Sequence, residues 1–216
     1  MRRAVTGLAL VAILGTAAPA AAGIAFGVRG GLSVSSISGE SSLIHTSSKY
    51  GPGGGVFFTL GVSDAFSVQP EILYVSKGAS WGDGQSTDDL GNPTGTYELL
   101  SLVDYVEIPV LLRFALPLGS VVRPVLSAGP AVAFEADERL KTTGDLSSSE
   151  KVDFYKNTDF GAAAGLGLEM VGGGGIWSLD TRFTRGFTRL ERGPLIVTDN
   201  HNWNVLVSVG FARAIR

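Results

Sequence analysis

The sequence predicts an all-β fold, an eight-stranded antiparallel up-and-down transmembrane β-barrel, and three observations predict it. Apolar and polar residues alternate with a period of two in eight successive segments, so the two faces of each strand meet different solvents. Each segment reaches the roughly 9–11 residues that cross a bilayer at a tilt. The mode for soluble sheets is only about 5–6 residues. Short and long connections also alternate along the chain, as they do when strands run up and down through a membrane.

The amino-terminal segment reads as an export signal. Arg2 and Arg3 are followed by an apolar run from Ala4 to Ala18 and by the small-residue site Ala20-Ala21-Ala22. The run is short for a spanning helix, which needs about 20 residues. The expected organisation is a signal peptide over 1–22 and an outer-membrane barrel domain over 23–216.

The strands follow in order. From Ile24 to Val34, Phe26, Val28, Leu32 and Val34 share one parity and Arg29, Gly31 and Ser33 the other. From Tyr50 to Val62, Val56, Phe58 and Leu60 oppose glycines and Thr59, with Phe57 an exception. From Phe66 to Gly78, Val68, Ile72 and Tyr74 oppose Gln69, Glu71 and Lys77, interrupted by Leu73 and Val75. From Leu102 to Leu116, Val106, Ile108, Val110, Leu112 and Phe114 oppose Tyr105, Glu107 and Arg113, with Asp104 a misfit. From Val122 to Ala136, Leu126, Ala128, Val132 and Phe134 oppose Ser127, Gly129, Ala131, Ala133 and Glu135. From Thr158 to Met170, Phe160, Leu166 and Leu168 oppose Asp159, Gly165, Gly167 and Glu169. From Ile176 to Thr188, Trp177, Leu179, Phe183 and Phe187 oppose Ser178, Asp180, Arg182 and Thr184. From His201 to Ile215, Trp203, Val205, Val207, Val209 and Phe211 oppose Asn202, Asn204, Ser208 and Gly210.

Ser63-Asp64, Pro117 to Val121 and Val171 to Gly175 are the short connections. Ser36 to Lys49, Trp81 to Leu100, Asp137 to Asn157 and Arg189 to Asn200 are the long ones, expected as extracellular loops, with both termini in the periplasm. Pro70, Pro109 and Pro130 each remove a ladder donor inside a strand and predict bulges or local irregularity.

The polar parity is expected inside. It is rich in Gly, Ala and Ser, which suits an eight-stranded lumen with room only for side chains. Charged residues are only 17% of the chain, too few for a water-facing sheet surface. Those on the polar parity carry both signs, and buried charges need partners. A structural lumen charge cluster is therefore expected from Arg29, Glu71, Glu107, Arg113, Glu169, Asp180 and Arg182, with Arg29, Glu71, Glu107 and Arg113 sealing the barrel together. On the apolar parity, Phe66, Phe114, Trp177 and Phe211 fall towards the short turns, and Phe160, Phe183, Phe187 and Trp203 towards the long loops. Such residues form the two aromatic girdles of a membrane barrel.

Composition narrows function. There is no cysteine, which excludes a disulfide framework, a thiol nucleophile and a thiolate metal site. A net charge of −3 gives no reason to expect a nucleic-acid partner. His45 sits in a Ser-rich loop and His201 beside the 189–200 loop, without the spacing of a nucleophile, base and orienting group. The loop around Asp83, Asp88 and Asp89 lacks the calcium-loop pattern and reads as solvated. Gly172 to Gly175 is not followed by Lys-Ser/Thr and reads as a turn. No catalytic residue, cofactor site or metal site is expected, and the chain does not read as an enzyme. Two rival readings are an outer-membrane lipid-modifying enzyme using a histidine at the rim, and a soluble periplasmic lipocalin-like carrier, which would need an apolar lumen.

Several segments resemble the PorT-like outer-membrane β-barrel family of Gram-negative bacteria. They are Gly27-Val28-Arg29-Gly30-Gly31-Leu32-Ser33, Gln69-Pro70-Glu71 with Tyr74 and Lys77-Gly78, Tyr105-Val106-Glu107-Ile108-Pro109, and Gly161 to Glu169 followed by Leu179 to Phe183. The resemblance covers essentially the whole of 23–216 and implies an eight-stranded barrel in the cell outer membrane. It implies little about activity. The partners expected are outer-membrane lipid, the barrel-insertion machinery during biogenesis, and an extracellular ligand or protein met by the long loops.

Overall fold

The computed structural model describes residues 23–38, 47–87, 90, 92–116, 121–144, 148–151, 158–188 and 201–215. The expected signal peptide, His45, Asp88, Asp89 and the 189–200 connection lie outside them. The strands are β1 (Ile24–Ser38), β2 (Ser47–Gly61), β3 (Phe66–Thr87), β4 (Pro93–Ala115), β5 (Val122–Gly144), β6 (Ser148–Lys151), β7 (Thr158–Gly172), β8 (Gly175–Gly186) and β9 (His201–Ile215).

All pairings are antiparallel, and β1 pairs with both β2 and β9, so the sheet closes on itself. Among the described residues β6 pairs only with the end of β5, opposite Arg139 to Thr142. The remaining eight strands are the staves of the barrel. The path of paired residues that leaves β1 at Ile24 passes Leu60, Val68, Leu112, Ala128, Ala164, Phe183 and Val205 and comes back to β1 at Val34. That stagger tilts the strands, and closure leaves no open edge among the staves.

Two expectations are corrected. Trp81 to Leu100 and Asp137 to Asn157 were expected as loops. Instead β3 runs to Thr87, β4 starts at Pro93, and β5 runs to Gly144 with β6 beside it. Alternation fades there because Trp81 to Thr96 is mostly Gly, Asp, Ser and Thr, while backbone pairing needs no particular side chain. Beside Pro70 and Pro109 the expected irregularity takes the form of a gap in the ladder and not of a bulge. The β3–β4 register is the same on both sides of the gap between Pro70↔Val110 and Leu73↔Glu107. The β4–β5 register is likewise unchanged between Pro109↔Ala131 and Leu112↔Ala128. Each proline removes a donor without inserting a residue, so the ladder thins but does not slip. The register shifts lie elsewhere, as at Asp104/Tyr105, where Ala136 is the extra residue on β5.

The pleat sorts the side chains. Leu112, Leu166 and Leu32 are 68%, 65% and 65% exposed, whereas Glu71 and Arg182 are 2% and 4% exposed. At some inward positions neighbouring strands approach so closely that no side chain fits. A Cβ added at Gly31, Gly55 or Gly129 would run into the carbonyl of Val207, Ile72 or Val110. At the β7–β8 hairpin, Gly173 and Gly174 both have positive φ, 62° and 78°, as a type I′ two-residue turn requires.

Candidate functional site

The barrel interior holds the ionisable groups. At mid-height the inward parity brings together Arg29 of β1, Glu71 of β3, and Asp180 and Arg182 of β8. Arg182 donates to Glu71 through both terminal nitrogens, Nη1 to Oε2 at 2.6 Å and Nη2 to Oε1 at 2.9 Å. This fork-to-fork geometry is the strong form of a charge-assisted pair. Gln69 Nε2 donates to Glu71 Oε1 at 2.6 Å, and Thr59 Oγ1 donates to Gln69 Oε1 at 3.0 Å. Arg29 lies 3.6 Å from Glu71 and 3.6 Å from Asp180, with its guanidinium 4.6 Å from the Phe57 ring centroid. Two guanidiniums thus face two carboxylates, and the ring covers the arginine that has no direct hydrogen bond to either.

Towards the short-turn end, Arg113 and Arg123 share one carboxylate. Arg113 Nη2 donates to Glu169 Oε1 at 2.8 Å and Arg123 Nη2 to Glu169 Oε2 at 3.1 Å. Towards the long-loop end, Lys77 pairs with Glu107, and its Nζ lies 5.2 Å from the Tyr105 ring centroid. Between this pair and the mid-height group lies a dry layer of Leu73, Val75 and Leu206, all at most 2% exposed.

The seven charged residues expected inside are all buried. The structure does not join Arg29, Glu71, Glu107 and Arg113 into one cluster. Glu107 and Arg113 stand six positions apart on β4, roughly 20 Å of strand, so they belong to different layers. Sequence reading passed over Arg123. Val125, an apolar residue on the inward parity, masked the fact that this parity extends back to it. The exceptions Phe57, Leu73 and Val75 are not misfits of register; they point inward, 4%, 0% and 0% exposed.

On the outer face, Phe66 and Phe114 stack at 4.7 Å and Trp177 and Phe211 at 4.7 Å near the short turns. Phe26 and Phe58, at 5.0 Å, stand at the same end. Phe183 and Trp203 meet at 6.3 Å nearer the long loops, where Phe160 and Phe187 are exposed. His201 opens β9 opposite Ser38. Asp83 is a β3 residue opposite Glu98. Among the described residues no group of three or more His, Asp or Glu side chains has metal-holding geometry.

A closed antiparallel barrel with ion pairs inside and apolar side chains outside is the architecture of an integral outer-membrane barrel, because only such closure satisfies every backbone group in lipid. The family comparison agrees. Residues 17–191 match the model of the family described as outer membrane protein beta-barrel domain, and the chain belongs to that family. It is an outer-membrane protein. No curated protein sequence matches it. Among solved structures, it is similar to Neisserial surface protein A, at 14% identity and TM-score 0.47, covering 88% of this chain and 99% of that one. It is also similar to OprG from Pseudomonas aeruginosa, at 13% identity and TM-score 0.45, covering 88% and 96%. Outer membrane protein W of E. coli matches at 15% identity and TM-score 0.45, covering 88% and 97%.

Proposed function

We propose that this protein is a sealed outer-membrane barrel with a structural or surface-contact role exercised at its long-loop end. The observation that carries the reading is the filled interior: three ion-pair groups at different heights, with the Leu73, Val75 and Leu206 layer between two of them. Eight strands enclose room for side chains and little else. A charged interior also argues against a lipocalin-like carrier, whose ligand would need apolar walls. The short turns face the periplasm and the long hairpins the exterior, where β3 to β6 rise beyond the barrel as a sheet available to a ligand or protein. The aromatic pairs on the outer face act as girdles at the two lipid interfaces. The first 22 residues act as a cleaved export signal. The segments around Gln69-Pro70-Glu71 and Tyr105 to Pro109 support a place in the PorT-like branch of the family.

Reconstitution in planar bilayers tests the sealed reading. Purified barrel inserted at one copy per membrane should give no steady ionic conductance. A stable open level from the folded protein would overturn it.

A further inference from the structure

The short-turn end of the interior opens into a vestibule of about 370 Å³. Its walls are unlike the balanced layer above. Arg113 and Arg123 have one carboxylate between them, Glu169. The other acid at the mouth, Asp64, is exposed on the turn. Among the described residues one guanidinium charge of the cavity wall is therefore left without its own carboxylate. Further donors line the same space. Arg29 is 6% exposed and Ser178 8%, and both line the vestibule. Neither Arg29 Nε nor Ser178 Oγ has a hydrogen-bond partner among the described residues, and the same holds for Arg123 Nε. Buried donors without acceptors are costly, and each is an invitation to an acceptor-bearing ligand. The rest of the lining is mixed: Phe57, Val125 and Ile176 give it an apolar side, and Thr59, Ser67 and Gln69 a polar one.

We propose that this vestibule binds a small oxyanion, a carboxylate or phosphate, with Arg123 as its principal charge partner and Arg29 and Ser178 as donors at the inner end. Glu169 holds both Arg113 and Arg123 in place and leaves the outer face of Arg123 for the ligand. The site goes beyond the sealed-barrel reading: it is a blind pocket below the mid-height ion pairs and needs no path through the barrel. Its exposure to the periplasm rests on the orientation proposed above, but binding in micelles does not, so the two can fail separately.

The test is a titration of the folded barrel in detergent micelles with benzoate and, separately, with inorganic phosphate, read as backbone amide shifts at Arg123 and Ser178. Saturable shifts are expected with at least one of them. Stronger binding of benzoate assigns the site to an organic acid using the apolar side; stronger binding of phosphate assigns it to a phosphate-bearing molecule. Arg123→Ala should weaken binding by about tenfold or more, the loss of one charge-assisted hydrogen bond. Glu169→Gln, which removes the competing carboxylate, should tighten it. Heat-dependent gel mobility would show that both variants still fold. Non-saturating shifts with both anions, or unchanged affinity in a folded Arg123→Ala barrel, would overturn the proposal.

Discussion

Arg182 and Phe183 are neighbours in β8, yet the arginine is 4% exposed and the phenylalanine 44%. In a water-soluble sheet the two values would be exchanged. The pleat sends successive side chains to opposite faces, and closure makes one face an interior too narrow for bulk water. The interior therefore has to satisfy its charges internally, while the exterior needs only to be apolar. A change on the inner face should act through broken ion pairs, and a change on the outer face through transfer of a charge into lipid.

The largest effect is expected inside. Glu71→Ala leaves Arg29 and Arg182 buried without their shared carboxylate. Breaking a buried pair in this way costs about 3–5 kcal/mol. Urea unfolding from lipid vesicles should show the loss together with a lower temperature for the heat-induced mobility shift. Unchanged melting would mean that the mid-height group contributes nothing net. On the outer face, Leu166→Arg places a charge on an exposed apolar position of β7. A midplane arginine costs about 2–4 kcal/mol in a membrane barrel. A neutral result in the same assay would place that face in water rather than lipid.

Smaller effects sharpen the contrast. A double-mutant cycle on Phe66 and Phe114, the pair stacked at 4.7 Å, should give a coupling of about 0.5–1.5 kcal/mol. A coupling of zero would reduce the pair to two independent lipid contacts. Beyond the barrel the distinction between faces should vanish. Gln85→Lys, exposed on the extended end of β3, should change stability by less than about 0.5 kcal/mol. A large loss there would show that the projecting hairpin packs as part of the barrel.

The same contrast explains what was legible in the sequence. Where one face meets lipid and the other a crowded interior, the period of two is strong, and the barrel parts of all eight staves could be read from it. It also separated inward from outward residues, including Arg29, Glu71 and Arg182. The hairpin ends Trp81–Thr87 and Thr94–Leu100 were read as loops because their Gly-, Asp-, Ser- and Thr-rich sequence carries little apolar alternation. The grouping of the charges was not legible either. Parity says which face a residue occupies, but partners across the barrel depend on strand stagger. Arg182 meets Glu71 from the opposite wall, 111 positions away in sequence. Arg113 and Glu107 share a strand and a face but stand in different layers. Leu73 and Val75 looked like breaks in a polar face, and only their height between Glu71 and Lys77 shows them as a dry layer.

The central claim is that each strand shows lipid one face and a charged interior the other. Because the chain has no cysteine, single cysteines can be placed without background. The most direct measurement is a spin-label scan along β8 from Trp177 to Thr184 in lipid vesicles, recording collision with dissolved oxygen. The account predicts a two-residue oscillation with maxima at Trp177, Leu179, Thr181 and Phe183 and minima at Ser178, Asp180, Arg182 and Thr184. Maxima at the even positions, or a flat profile, would contradict it.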